Sequence, residues 1–555
     1  MQWQYLNKSK IKDFNQLKKI LLLNRQVTND KQEKEFWDFR SPFSYDLNEV
    51  GFDTKQLNFA FERLKQALKR QEKVLIYGDY DMDGISATAI LWLSLKKIGL
   101  ITQPFIPHRI KHGYGMTKKA LSEILAKEKF DLVITVDNGI VAFEACEFLK
   151  EKKIDLIITD HHQIENQKQK PIYPFCVAYI HNKEFCGALV VWFFMNYFYD
   201  FSGVKDKENF LLGLLDLAGL ATLADQMVLL GINRQVVKMA LNQLRKTENM
   251  GLNCLVNKLN LDLTQLDEKK ANFKIIPCLN AAGRIDHGLE ALRLLCTKNL
   301  NRAIILSEKL NTLNSSRKDL TNELWLQALS MVKKQLKNKF LFLISKNYHE
   351  GVIGLLASRL VEKFNCLTFV GCQHDNEIKV SARSVGDIDL MKILVKIKHL
   401  CLSLGGHKGA AGFSFSLSNL NPIMKILSAE ISTYEQKSKK IIIESKIDFQ
   451  LLNYQLLELL KKLSPFGKGN PELILSIRVK VLASQFIGKE KKHLKLIVND
   501  GIQDKQMNIF WWNQADNFKL FSLVNQELEI IFTPSINEFR GKESLQLIGL
   551  DVKKC

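Results

Sequence analysis

The chain has 555 residues, 46% of them hydrophobic, enough for several buried cores and, at typical domain sizes, three or four domains. Lys plus Arg number 79 against 59 Asp plus Glu, a formal charge of +20 that favours a polyanionic partner, although a lysine-rich composition alone produces the same excess. The ten cysteines are scattered with no Cys-x-x-Cys pair, which argues against a zinc knuckle or a disulfide framework. The N-terminus has no apolar h-region, so no secretory signal is expected.

Residues 1–71 read as a helical segment, with helical periodicity clearest over 59–68. The apolar run at 74–77 then reads as a buried strand, and Gly78 and Gly84 mark where the chain turns out of the sheet. Between them Asp79, Asp81 and Asp83 alternate. Carboxylates this crowded repel one another unless a cation lies between them, and hard oxygen ligands suit Mg²⁺ or Mn²⁺. Taken alone, the same pattern also fits turn residues or a calcium loop.

Two further apolar strands, at 130–136 and 154–159, each deliver an acid, Asp137 and Asp160, and the second is followed by His161 and His162. By itself Asp137 could equally be a helix N-cap, and the histidines loop residues. Buried strands alternating with helical stretches predict a doubly wound, parallel-sheet α/β domain over 72–300, whose strand ends converge on one crevice. The most apolar long window, 211–232, contains Asp216 and Asp225, so it reads as a buried helix and not a membrane span. On one continuous helix their spacing turns the two acids to opposite faces, and only one can face a site.

Residues 301–338 predict one long connecting helix or a helix pair. A second, smaller α/β domain is expected over 339–420. In it, Gly405-Gly406-His407 leads into Ala410-Ala411-Gly412, a run that could present backbone N–H groups or a helix N-terminus to phosphate, or be a tight turn. Short strand-like runs over 440–555 predict a small β-barrel. It carries Lys489, Lys491, Lys492 and Lys495 and the aromatic run Phe510-Trp511-Trp512, a mixture suited to single-stranded nucleic acid. Strand alternation puts Trp511 opposite Phe510 and Trp512, so one set is core.

Asp160-His161-His162 is the signature of the DHH phosphoesterase superfamily, and Gly78-Asp79-Tyr80-Asp81-Met82-Asp83-Gly84 resembles the first motif of its RecJ branch. Pro107-His108-Arg109 with Gly113-Tyr114-Gly115, the stretch from Asp216 to Asp225, and Asn280-Ala281-Ala282-Gly283-Arg284 follow in family order. So do His349-Glu350-Gly351-Val352-Ile353-Gly354, Ser381-Ala382-Arg383, the Gly405–Gly412 run that marks a DHH-associated domain, and 465–471. The resemblance spans nearly the whole chain. It implies a metal-dependent, single-strand-specific 5′→3′ DNA exonuclease of recombination and repair, and an OB-fold for the barrel.

By the same resemblance two divalent cations, Mn²⁺ or Mg²⁺, are held by Asp81, Asp83, Asp137, His161 and Asp225, with Asp137 bridging and Asp79 a ligand or a support. His162 contacts the scissile phosphate, Asp160 orients the histidines, and Asp216 is structural. Arg109, Ser381 and Arg383 hold the 5′-terminal phosphate; Asn280 and Arg284 contact the nucleic-acid backbone or brace the site, and Gly406 and His407 complete substrate binding. The expected partners are single-stranded DNA, a single-strand-binding protein and a helicase, in the cytoplasm and away from membranes. Cys278 stands where relatives usually carry arginine, and Tyr348 where tryptophan is frequent. The alternatives are a phosphodiesterase for short oligonucleotides or cyclic dinucleotides, and a non-catalytic single-strand-binding relative.

Overall fold

The computed structural model describes residues 2–164, 166–167, 170–333, 335, 339–434, 440–502, 505–518, 523–539 and 542–555. The chain forms two compact units, one of residues 41–227 and 239–437, the other of 1–40, 228–238 and 438–555.

The larger unit contains the doubly wound sheet. Its five strands are all parallel, in the spatial order Ile101–Phe105, Lys73–Tyr77, Leu132–Val136, Asp155–Asp160, Ala178–His181. In chain order this is 2-1-3-4-5, an arrangement that leaves a crevice at the carboxyl ends of the strands. The central strands are largely apolar and buried because helices cover both faces. Leu75, Tyr77, Val133, Leu156 and Ile158 pack with Leu121, Cys146 and Leu149 of the helices Lys118–Leu125 and Phe143–Glu151. The helices Met82–Lys97 and Gly187–Ser202 cover the other face, and Leu215–Ala224 packs against both of them.

The apolar window at 211–232 is therefore not one helix but is divided among Lys207–Leu212, Leu215–Ala224 and Gly231–Leu244. Among the described residues no helix is long and apolar enough to cross a membrane.

A single uninterrupted helix, Leu300–Val332, runs from the helices Met250–Lys258 and Ile276–Ile285 to the strand Phe340–Ser345 and the helix Ile353–Phe364. The second sheet has the order Phe340–Ser345, Leu367–His374, Glu377–Arg383, Ala410–Ser416, Ser403–His407. Its first pair is parallel and the rest antiparallel. The glycine-rich run is thus the edge hairpin of a sheet, with no helix N-terminus at that point. Gly406 has φ +145, and a Cβ there would lie 2.5 Å from Ala410 O, so small residues serve close pairing of the hairpin.

The smaller unit is a closed barrel of Leu475–Ile487, His493–Asn499, Met507–Trp511, Glu527–Phe539 and Lys542–Lys554. Numbered along the chain, the strands close in the order 1-2-3-5-4-1, an OB-type barrel. The N-terminal segment is not purely helical: Gln2–Tyr5 pairs in parallel with Lys440–Ile443, and Lys10–Ile11 with Ser445–Ile447. Strands of four and two residues carry too little periodicity to be read from sequence. Two buried arginines pin this unit. Arg25 pairs with Glu444 at 2.9 Å, and Arg234, fully buried, donates to the carbonyls of Leu463 and Lys462 at 2.8 Å each.

Candidate active site

Three parallel strands deliver acids to the crevice. After Lys73–Tyr77 the chain turns through Asp79 to Asp81, which N-caps the helix Met82–Lys97 by accepting from the amides of Asp83 (3.0 Å) and Gly84 (3.2 Å). Asp83 reaches across the crevice and accepts from the amides of Gly187 (2.6 Å) and Ala188 (2.8 Å). It thereby caps the helix Gly187–Ser202, whose own N-cap residue, Cys186, makes no side-chain cap bond. Asp137 follows Leu132–Val136 with φ +61, a left-handed conformation that costs a non-glycine residue about 1 kcal/mol or more and often marks a functional position. Asp160 ends the next strand, and Asp225 is the C-cap of Leu215–Ala224.

His161 lies at the junction. Its Nε2 is 3.1 Å from Asp137 Oδ1 and 3.7 Å from Asp83 Oδ2, and its Nδ1 is 3.8 Å from Asp225 Oδ2. Three overlapping sets of potential metal-ligating atoms, each within 4.8 Å, fill the crevice: Asp137 with His161 and His162, Asp83 with His161 and Asp225, and Asp79 with Asp81 and Asp137. Asp137 and His161 each belong to two sets. The structure thus gathers the expected ligand positions Asp79, Asp81, Asp83, Asp137, His161 and Asp225, with His162 alongside.

The crevice is short of positive charge. Asp79 Oδ2 and Asp137 Oδ1 are buried without a hydrogen-bond donor, a costly arrangement for a carboxylate. Burial and the neighbouring Asp81 push Asp79 up to about 8. Burial and the carboxylates of Asp83 and Asp81 push Asp137 well above the usual range. Oxygen-rich ligands with imidazole, packed this tightly, fit Mg²⁺ or Mn²⁺.

Asp160 behaves differently. Its Oδ1 accepts from the amides of His161 (2.7 Å) and His162 (3.1 Å) and lies 2.7 Å from His162 Nδ1, while Oδ2 accepts from the Ile140 amide at 2.9 Å. Burial opposes its ionisation, but the His162 charge and these donors hold it well below the usual range. Burial in turn opposes protonation of His162, yet the Asp160 carboxylate raises it to about 9. The other ring nitrogen of His162 meets the Tyr114 hydroxyl. That contact was not foreseen from sequence, where Tyr114 stood out only through its flanking glycines.

Asp216 lies elsewhere, buried, with Oδ2 accepting from Thr247 Oγ1 at 2.6 Å. Asn280 Oδ1 accepts from the Met82 amide at 2.8 Å, bracing the acidic loop. A Cβ on Gly283 would lie 2.1 Å from Tyr80 O, so that helix packs directly on the same loop. Arg109 lies 5.0 Å over the Tyr80 ring, and Arg284 Nη1 donates to Gly351 O at 3.4 Å. Arg383 Nη1 donates to Ser381 Oγ (3.0 Å) and Ala382 O (2.8 Å). Gly406 and His407 are exposed on the edge strand, where His407 pairs with Ala410 and Ala410 with Arg383. Cys278 is buried beneath Asn314, and the buried Tyr348 donates to Met331 Sδ at 3.4 Å.

Comparison with known proteins matches three family models in chain order: the DHH family N-terminal domain over residues 73–222, the DHHA1 domain over 335–433, and the RecJ OB domain over 443–551. A DHH domain followed by DHHA1 is the architecture of a DHH phosphoesterase. The added OB domain and the relatives below narrow this further: over about nine-tenths of its length the chain is similar to RecJ proteins.

The single-stranded-DNA-specific exonuclease RecJ of Bacillus subtilis is 30% identical over 90% of this chain, which spans 64% of that relative's length. RecJ of Escherichia coli is 27% identical over 88% of this chain and 89% of its own. Thermus thermophilus RecJ, crystallised with Mn²⁺, shares the fold with a TM-score of 0.82 at 24% identity, covering 100% of this chain and 80% of that one. An exonuclease RecJ bound to manganese gives a TM-score of 0.59 at 29% identity over 69% of this chain and 95% of its own.

Proposed function

We propose that the chain is a metal-dependent exonuclease that hydrolyses single-stranded DNA from the 5′ end and serves recombination and repair in the cytoplasm. The observation that carries this reading is the crevice itself, where Asp83, Asp137 and Asp225 converge on His161 and two buried carboxylate oxygens, on Asp79 and Asp137, lack donors. We assign the chemistry to residues 72–300, terminal-phosphate recognition to 339–420 and longer contacts with the strand to 440–555, with 301–338 connecting the first two.

Two divalent cations, Mn²⁺ or Mg²⁺, held by Asp81, Asp83, Asp137, His161 and Asp225, with Asp79 in support, would neutralise the carboxylates and supply the Lewis acid that makes water nucleophilic near neutral pH. Asp137, which belongs to two of the ligand sets, would serve both ions. His162, fixed by Asp160 through Nδ1, contacts a scissile phosphate oxygen through its Nε2 edge, where Tyr114 meets the ring in the absence of substrate. Arg109, Arg383 and Ser381 bind the 5′-terminal phosphate, and a pocket for the chain end is what makes an exonuclease. Asn280 keeps the acidic loop in place, while Arg284, Gly406 and His407 extend the contact along the backbone.

On the barrel, Phe510 and Trp512 stack with ring centroids 5.5 Å apart and planes 5° off parallel, and His493 meets Trp512 edge-on at 5.0 Å. Lys495 pairs with Phe510 in the sheet. His493 and Phe510 lie on the second and third barrel strands and Trp512 directly follows the third, a face that suits stacked bases. Strands presented by a helicase or coated by a single-strand-binding protein are the proposed source of substrate.

The test uses end-labelled single and double strands with Mn²⁺ or Mg²⁺. Release of 5′ nucleotides from single strands, abolished by Asp137→Ala and by His162→Ala with folding intact, is the expected result. A folded protein that binds single strands and never cleaves them would be a scaffold. Preference for dinucleotides over long strands would make it a short-oligonucleotide phosphodiesterase.

A further inference from the structure

We infer that Arg317, on the helix Leu300–Val332, binds a phosphate of the substrate strand through a guanidinium that Asn314 orients. The inference deepens the reading of the crevice as a nucleic-acid site and rests on it.

The chain neutralises its other buried arginines. Arg25 has Glu444, Arg63 has Glu72 and Asp155, and Arg234 has backbone carbonyls. Arg109, Arg284, Arg317 and Arg383 form a contrasting group. They come from four separate elements, all are partly buried, and among the described residues none is ion-paired with a carboxylate. They nonetheless feel one another. Burial and the charges of Arg109 and Arg317 push Arg284 down to about 10, with Arg383 adding to the effect and Asp81 opposing it. Burial and Arg109 also lower Arg383. Partly desolvated like charges without counterions are unfavourable, and a polyanion relieves all four at once.

Three of the four already have a place in the proposed reaction. Arg317 does not, and its geometry is that of a prepared ligand. Its Nε and Nη2 both donate to Asn314 Oδ1, at 3.2 and 2.8 Å. Asn314 is itself buried and donates Nδ2 to Cys278 Sγ at 3.1 Å. The chain Cys278–Asn314–Arg317 therefore fixes the plane of the guanidinium through a neutral acceptor. Its charge remains uncompensated and its Nη1 makes no bond among the described residues. Orienting a guanidinium in advance lowers the ordering cost when a phosphate arrives.

The experiment measures binding of a 5′-phosphorylated single strand to the full chain without divalent ions, over a range of salt. Arg317→Ala should weaken binding about tenfold and lower the slope of log K against log salt by about 0.7, the release expected for one lost phosphate contact on a single strand. Asn314→Ala should lower affinity in the same direction, and the double variant should be no weaker than Arg317→Ala alone. Lys318→Ala, removing an exposed neighbouring charge, should change the slope less. Urea midpoints report folding. If wild type binds the strand and Arg317→Ala keeps its slope, or shifts only the urea midpoint, the role of Arg317 is overturned while the nuclease reading stands. If wild type binds no strand at all, both fall.

Discussion

Gly187→Ala isolates the crevice from ordinary stability. The residue opens the helix Gly187–Ser202, does not sit at positive φ, and on propensity alone its replacement by alanine gains up to about 1 kcal/mol. An added Cβ, however, would lie 2.6 Å from Asp137 Cβ and 2.8 Å from Asp137 Oδ1, where ordinary contact begins at 3.4 Å. Either Asp137 or the start of the helix must move by roughly 1 Å, and overpacking of this kind costs about 1–3 kcal/mol. A displacement of that size at a reacting group is worth about 100-fold in rate. Initial rates on a 5′-phosphorylated single strand, Mn²⁺ binding by calorimetry and urea unfolding would be compared with those of Gly213→Ala, whose Cβ meets nothing nearer than Phe210 O at 3.4 Å. The expected result is near-normal behaviour for Gly213→Ala, with weakened ion binding and a rate loss near 100-fold for Gly187→Ala. A Gly187→Ala enzyme within twofold of wild type in both rate and ion affinity would refute the claim that Asp137 is held in place by the absence of a side chain opposite.

Burial raises Asp216 to about 6 from an ordinary 3.8, so the folded chain holds this proton more tightly than the unfolded one. Its contribution is complete below the lower value and is lost as pH rises through the higher, by about 3 kcal/mol. Asp216→Asn should therefore flatten the fall in stability between pH 4 and 7, read from urea midpoints. Arg234→Ala strands the buried carbonyl of Leu463 and the part-buried one of Lys462 and should cost about 3 kcal/mol, visible as an early unfolding transition of the barrel-containing unit. Phe510→Ala combined with Trp512→Ala should weaken binding of an oligonucleotide about tenfold or more and leave binding of an abasic strand of equal charge unchanged.

The layered fold was legible because its strands are apolar on both faces and its long helix contains no breaker over Leu300–Val332. Alternation separated the aromatic run correctly, with Trp511 fully buried and Trp512 42% exposed. That only one of the two acids in the apolar window can face a site rested on a continuous helix, and Asp225 was preferred through the resemblance to the family motif. That segment is broken, yet the acids still part company, Asp216 to Thr247 and Asp225 to the His161 side, because Leu215–Ala224 alone spans the interval between them. Contacts between distant elements were not legible. Nothing in the order of residues places Tyr114 against His162 or Asn314 over Cys278, since neither pair shares an element. The glycine-rich run was ambiguous for another reason: small residues suit a tight hairpin and a phosphate loop equally well.

The pairing of Gln2–Tyr5 and Lys10–Ile11 with barrel-side strands bears on how the chain is made. Asn7 bonds to Ser445 across 438 positions, so these strands have no sheet partner until that much more chain has been made. At about 5–20 residues per second that is a wait of roughly 20–90 s. Throughout it, two short unpaired edges travel with the nascent chain, a standing opportunity for chaperones and for misassembly.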